Sequence, residues 1–152
     1  MIARAGALSL ALGTSTGACD DQSYKDIGSE IGLLTARSDS LVPPAIERLA
    51  RYGRRALPQI EIALHTASDS GRRNLVATLA RIGDPEAVPI FRHFAVYDLS
   101  PDIRGECERV LGEWAQVPGV RAEAARAALS RIAELRAHGA APAPPRPEPS
   151  AP

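Results

Sequence analysis

Apolar side chains recur along this chain at the period of a helix, in short bursts separated by turn residues. The clearest burst is Ile103, Cys107, Val110, Leu111 and Trp114, spaced i, i+4, i+7, i+8 and i+11, which places all five on one helical stripe. Leu75, Leu79 and Ile82 form a second stripe after the turn Ala67-Ser68-Asp69-Ser70-Gly71, and Leu57, Ile60 and Leu64 form a third before it. Ala87, Ile90, Phe91 and Phe94 carry a fourth to Tyr97, closed by a turn from Asp98 to Asp102. Ser38-Asp39-Ser40 supplies cap residues, and Pro43-Pro44 suits the first turn of a helix running to Gly53. Gly83-Asp84-Pro85 stops one helix and starts the next. The Cys107 helix ends near Gln116, and Pro118-Gly119 opens an alanine- and arginine-rich helix to about His138. Tyr24, Ile27, Ile31 and Leu34 repeat the spacing between Ser23 and Arg37. Gly28 and Gly32 weaken that segment by about 1 kcal/mol each relative to alanine, so it reads as a loose first helix or a tether.

Two of these helix ends are near copies. Leu49-Ala50-Arg51-Tyr52-Gly53 precedes Ala56-Leu57-Pro58, and about thirty residues later Leu79-Ala80-Arg81-Ile82-Gly83 precedes Ala87-Val88-Pro89. That period fits a two-helix unit, which cannot bury its apolar face alone and must stack on its neighbours. The predicted fold is all-α, a short α-solenoid of stacked antiparallel helix pairs with about six to seven helices.

The middle unit resembles the HEAT-repeat family, especially its short bacterial form, in Arg72, Leu79, Ile82, Gly83, Asp84, Pro85, Ala87, Val88 and Pro89. The following unit keeps Asp102, Arg104, Leu111 and Trp114 without Gly-Asp-Pro, and the preceding one keeps Leu49, Gly53, Ala56, Leu57 and Pro58. The resemblance covers about residues 41–117 and fades outward, as end repeats that cap a stack do. It implies a right-handed superhelical solenoid that binds other proteins on the surface lined by the second helix of each pair. It also implies a structural part for Arg72 and Arg104, near the turn acids Asp69 and Asp102, in bracing one repeat against the next.

Composition narrows the function. A chain of 152 residues that is 45% hydrophobic and only 4% aromatic holds one domain with a modest core of Leu, Ile, Val and Ala. Its 18 basic and 18 acidic side chains cancel, so no long-range field draws it to nucleic acid. Aligning the units on Leu49, Leu79 and Leu111 sets Arg51, Arg81 and Glu113 in one row, Glu47, Ala77 and Arg109 in another, and Pro44, Asn74 and Glu106 in a third. Mixed signs argue against a groove that tracks phosphates. The ridge of Arg51, Asn74, Arg81, Glu106, Arg109 and Glu113 is therefore the candidate protein-docking face, with simple solvation as the other reading.

The first nineteen residues differ from the others. Arg4 is the only charge before Asp20, and the apolar run Ala5 to Leu12 is well short of the roughly 20 residues that span a bilayer. Thr16-Gly17-Ala18-Cys19 resembles the bacterial lipobox, with Thr16 where that motif usually has Leu, Val or Ile. The resemblance implies cleavage before Cys19 and its acylation; an ordinary export signal with an incidental cysteine is the alternative. Cys107 lies on an apolar stripe and reads as a buried, inert thiol, which leaves a disulfide to Cys19 as the less favoured pairing.

Candidate chemistry is sparse. His65, His93 and His138 are far apart in sequence, no His-Glu dipeptide occurs, and no glycine-rich phosphate loop is present, so no catalytic residue, metal or cofactor is expected. His65 and His138 fall near helix C-termini, where positive charge suits the dipole. Two enzyme-linked families use such repeats. Phycobilin lyases would need a chromophore pocket and HEAT-like DNA glycosylases a basic channel in a longer chain, and neither is legible.

The expected plan is a signal peptide over 1–18, a lipidated N-terminus and tether or loose first helix over 19–40, the repeat domain over 41–138, and a Pro/Ala-rich disordered tail over 139–152. The expected function is a noncatalytic adaptor or scaffold for an unknown protein partner, anchored through Cys19 to the inner or outer membrane of a bacterial envelope. A soluble intracellular HEAT-repeat accessory subunit of an enzyme complex is the alternative.

Overall fold

Helices begin and end where the punctuation residues allow. The computed structural model describes the backbone of residues 17–36 and 39–139, with side chains over 22–36 and 40–139. Residues 1–16 of the expected signal peptide, Ser38, the Cys19 side chain and the residues beyond Gly139 lie outside the described residues. Seven α-helices, joined by three short 3-10 turns, make up the described chain, and no strand occurs among the described residues. The protein is thus an all-α stack of the HEAT-like kind.

The first helix, α1 (Gly17–Thr35), starts earlier than its apolar spacing suggests and buries Ile27 and Leu34 against the following helices. Helix α2 (Val42–Ala50) begins at Leu41 with no side-chain cap, and Pro43 and Pro44 occupy first-turn positions whose N–H groups would have no helical partner. Gly53 (φ +56) and a 3-10 turn lead into α3 (Leu57–Leu64), which buries Leu57, Ile60 and Leu64.

Helix α4 (Asp69–Ile82) has caps at both ends. The Ser68 hydroxyl accepts from the Gly71 N–H at 3.4 Å, and Gly83 closes the helix in the left-handed region at φ +69. The Asp84 carboxylate then accepts from the Glu86 N–H at 2.8 Å and sets the 3-10 turn that feeds α5 (Val88–Tyr97). Helix α6 (Pro101–Gln116) buries all five residues of the Ile103-to-Trp114 stripe. Helix α7 (Val120–Ala137) turns Ala122, Ala125, Ala128 and Ile132 inward, small enough for close approach, and keeps a polar outer face that suits the end of a stack.

The pairs α1/α2, α3/α4 and α5/α6 stack so that α2 meets α4 and α4 meets α6, while α7 closes on both α5 and α6. The core runs unbroken from Ile27 to Ile132. Phe91 meets the Trp114 ring edge-on at 5.2 Å, and the Arg121 guanidinium lies over that indole, 4.8 Å from the ring centroid. No helix among the described residues is long and apolar enough to cross a membrane.

Candidate functional site

The second helices, α2, α4 and α6, carry the ridge that the repeat alignment singles out. Arg81 reaches Glu47 across the α2–α4 seam, Nε to Oε1 at 2.9 Å, with both side chains more than half exposed. On α6, Arg109 is held between Glu106 and Glu113. The Arg109 contact holds the Glu106 carboxyl below its ordinary range and raises the guanidinium pKa further above its own. Arg73 pairs with Asp102 at 3.1 Å across the α4–α6 seam. Asn74 turns inward instead: its amide donates to the Leu34 carbonyl at 2.9 Å and so caps the end of α1. Arg51 stands apart, exposed at the end of α2. Between α4 and α6 lies a cavity of about 460 Å³, lined by Arg73, Asn74, Ala77, Asp102 and Glu106. Apart from Arg51, the ridge cations are therefore neutralised by neighbouring acids.

The motif arginines lie beneath it, at the turns. Arg72 donates to the Ala67 carbonyl at 3.0 Å and to Asp69 at 2.7 Å, then reaches Asp98 at the end of α5. Its Nε lies 3.1 Å from Asp98 Oδ2 but off the hydrogen-bond line, so that contact is Coulombic. Asp98 is buried and also accepts from the Ser100 N–H at 2.8 Å. Arg104 donates to the carbonyls of Asp98 at 2.6 Å and Leu99 at 3.2 Å; its turn partner is this backbone, because Asp102 is engaged by Arg73. The sequence reading missed Asp98, whose only signal was an acid between Tyr97 and the Leu-Ser-Pro turn.

The first helices present a different surface. His65, at the end of α3, lies 5.6 Å from His93 and 5.1 Å from Phe94 on α5, centroid to centroid, and His93 lies 5.2 Å from Tyr97. Arg92, His93 and Tyr97 of α5, with Arg131 and Leu135 of α7, line a cavity of about 360 Å³. Arg131 makes an exposed pair with Glu134 at 2.8 Å, whereas Arg92 has no acid within ion-pair distance among the described residues. The histidines that looked scattered are thus partly gathered: His65, just past the end of α3, meets His93 inside α5 across consecutive first helices. His138 is bound to the Glu134 carbonyl at 2.7 Å. No cluster of three or more His, Cys, Asp or Glu side chains among the described residues is placed to hold a metal ion.

Cys107 is fully buried in α6, where desolvation, helped by the charges of Asp98, Glu106 and Glu108, pushes its thiol pKa up to about 12.

No family model matches the chain. It is 25% identical over 119 residues to the bilin biosynthesis protein RpcF of Synechococcus sp. (strain WH8020), covering 78% of this chain and 57% of that protein. The chain thus spans little more than half the length of this curated relative. Among solved structures, its fold is similar to a chain in the complex of CpcE and CpcF of phycocyanin lyase from Nostoc sp. PCC7120. The TM-score is 0.57 at 24% identity, over 70% of this chain and 65% of that one.

These likenesses correct two expectations. The noncatalytic adaptor or scaffold gives way, because the curated relative is named for bilin biosynthesis and the structural neighbour for a lyase. The alternative, a subunit of an enzyme complex, fits better. The phycobilin lyases were set aside for want of a legible pocket. A pocket built between helices leaves no local motif, and the residues around the outer cavity come from segments about forty positions apart.

Proposed function

We propose that this chain is a HEAT-like subunit of a lyase-type enzyme that handles an open-chain tetrapyrrole and works with a second protein chain. The similarity to RpcF over 119 residues carries this reading. The neighbour's occurrence as a two-protein complex supports the partner chain. The outer cavity adds a physical argument: rings and guanidiniums side by side suit a flat conjugated molecule bearing acid groups. Titrating the purified chain with a free bilin tests it. The expected result is a saturable change in the long-wavelength absorption band, and a spectrum that is the plain sum of its components removes the tetrapyrrole reading.

Acylation of Cys19, with the envelope address it implies, is a separate proposal supported by Gly17-Ala18-Cys19 alone. The intact mass of the protein from its native cells tests it, since an acylated chain beginning at Cys19 and an unmodified chain beginning at Met1 differ unmistakably.

A further inference from the structure

We propose that the α5–α7 cavity is a small-molecule site that takes a flat aromatic carboxylate, with Arg92 as the group that holds the acid. The inference is drawn from the outer face alone and stands whether or not the chain has lyase activity.

Arg48, Arg54, Arg73, Arg81, Arg109 and Arg136 each meet a carboxylate, and Arg104, Arg121 and Arg126 each donate to a backbone carbonyl. Arg51, Arg55 and Arg92 have neither among the described residues, and of these three it is Arg92 that lines the α5–α7 cavity. Arg92 projects from the exposed side of α5 into this cavity of about 360 Å³, a size that suits a two-ring molecule. A guanidinium fork pairs with a carboxylate through two parallel N–H donors, which gives orientation as well as attraction. Arg131, across the cavity on α7, is committed only to the exposed Glu134, three residues along its own helix, and such a pair exchanges at little cost.

The wall beside these cations is aromatic. His93 is packed at 5.2 Å against both Phe94 and Tyr97 and at 5.6 Å against His65, so its ring has neighbours on several sides. Tyr97 keeps half of its surface open to solvent, and Leu135 supplies an apolar contact opposite. A flat ligand gains stacking on Tyr97 and His93 while its acid reaches Arg92. The C-terminal dipoles of α5 and α7 disfavour an anion, but they act over the last turn, and Arg92 sits beyond that reach, five residues before Tyr97. The ridge cavity between α4 and α6 lacks this combination, having two carboxylates and no aromatic ring in its lining.

The probe is 2-naphthoate, with its neutral counterpart 2-naphthylmethanol, followed by fluorescence and by amide chemical-shift changes in the full chain. Saturable binding is expected, with shifts confined to α5 and α7 around Arg92, His93, Tyr97, Arg131 and Leu135. The alcohol and the variant Arg92→Ala should each weaken binding about tenfold or more. Tyr97→Ala should weaken it about threefold to tenfold. Arg55→Ala, an exposed arginine elsewhere, should leave it unchanged. Arg92 is exposed and outside the core, so its removal leaves the fold intact, which circular dichroism verifies. Equal binding of acid and alcohol, unaltered binding by Arg92→Ala, or shifts centred on α4 and α6 would each overturn the assignment. Naphthoate binding without any bilin response would instead uphold the site while removing the tetrapyrrole reading.

Discussion

The arginines on the ridge and those at the turns beneath it are the same residue in opposite surroundings. Arg81 on the ridge is 60% exposed and its partner Glu47 53%, whereas at the turn Arg72 is 16% exposed and Asp98 only 3%. Water screens the first pair and competes for both partners, so it contributes little net stability. The second pair is largely removed from water, and Asp98 left without Arg72 would be a stranded buried charge. A row of charged residues on a repeat surface therefore says little about strength until its depth is known. The turn ties α4 to the end of α5, while the ridge decorates an interface already made by the apolar core.

The largest effect should follow from breaking the buried side of this contrast. Asp98→Ala removes the counter-charge of Arg72 and the acceptor for the Ser100 N–H together, and should cost about 3 kcal/mol, since Asp69 still serves Arg72. Asp98→Asn keeps an oxygen for Ser100 and should lose less. Arg81→Ala on the ridge should change stability by less than about 1 kcal/mol. Urea unfolding of the three variants measures all of this. Equal losses for Asp98→Ala and Arg81→Ala would erase the distinction between turn and ridge.

At the opposite end of the helices, the α4–α5 turn is held by backbone conformation more than by charge. Gly83 has φ +69, and a Cβ there would come within 2.9 Å of an Arg121 guanidinium nitrogen, which donates to the Gly83 carbonyl at 3.2 Å. Gly83→Ala should cost about 1–2 kcal/mol for the left-handed backbone, plus the loss from displacing Arg121 off the Trp114 face. Gly53, at φ +56 with open space about it, is the matched control. Gly53→Ala should show the backbone cost alone, so the difference between the two thermal shifts isolates the Arg121 contact. Identical shifts would mean that Arg121 adds nothing at this turn.

Much of this architecture was legible because it is written locally. The stripe from Ile103 to Trp114 needs only the helical period to declare its buried face, and Gly83-Asp84-Pro85 encodes its own turn. What the chain concealed depends on the register between helices. Asn74 looked like a ridge residue until the end of α1 was found beneath its amide, and Asp98 looked like an ordinary turn acid until Arg72 was found against it. His65 and His93 stand 28 positions apart, close to the repeat length, yet their adjacency requires that α3 and α5 present the same side. The outer cavity is less legible still, since Arg92 and Arg131 belong to different helices and share no sequence pattern.

The smallest test addresses the ridge by itself. Glu106, bonded to Arg109, has its carboxyl pKa lowered from 4.5 in the fold. A lowered folded value means that the unfolded chain takes up the proton first as the solution is acidified. The contribution is therefore fully present above the ordinary value of 4.5 and disappears as pH falls through the lowered one. Solvent screening at this partly exposed site keeps it under about 1 kcal/mol. Glu106→Gln should accordingly be slightly less stable than the parent at neutral pH and converge with it in acid, with added salt reducing the gap at neutral pH. A gap that persisted unchanged into strong acid and high salt would show that Glu106 acts through packing rather than charge. The ridge would then be bound to the core more tightly than its exposure implies, and the contrast with the Arg72–Asp98 turn would narrow from the other side.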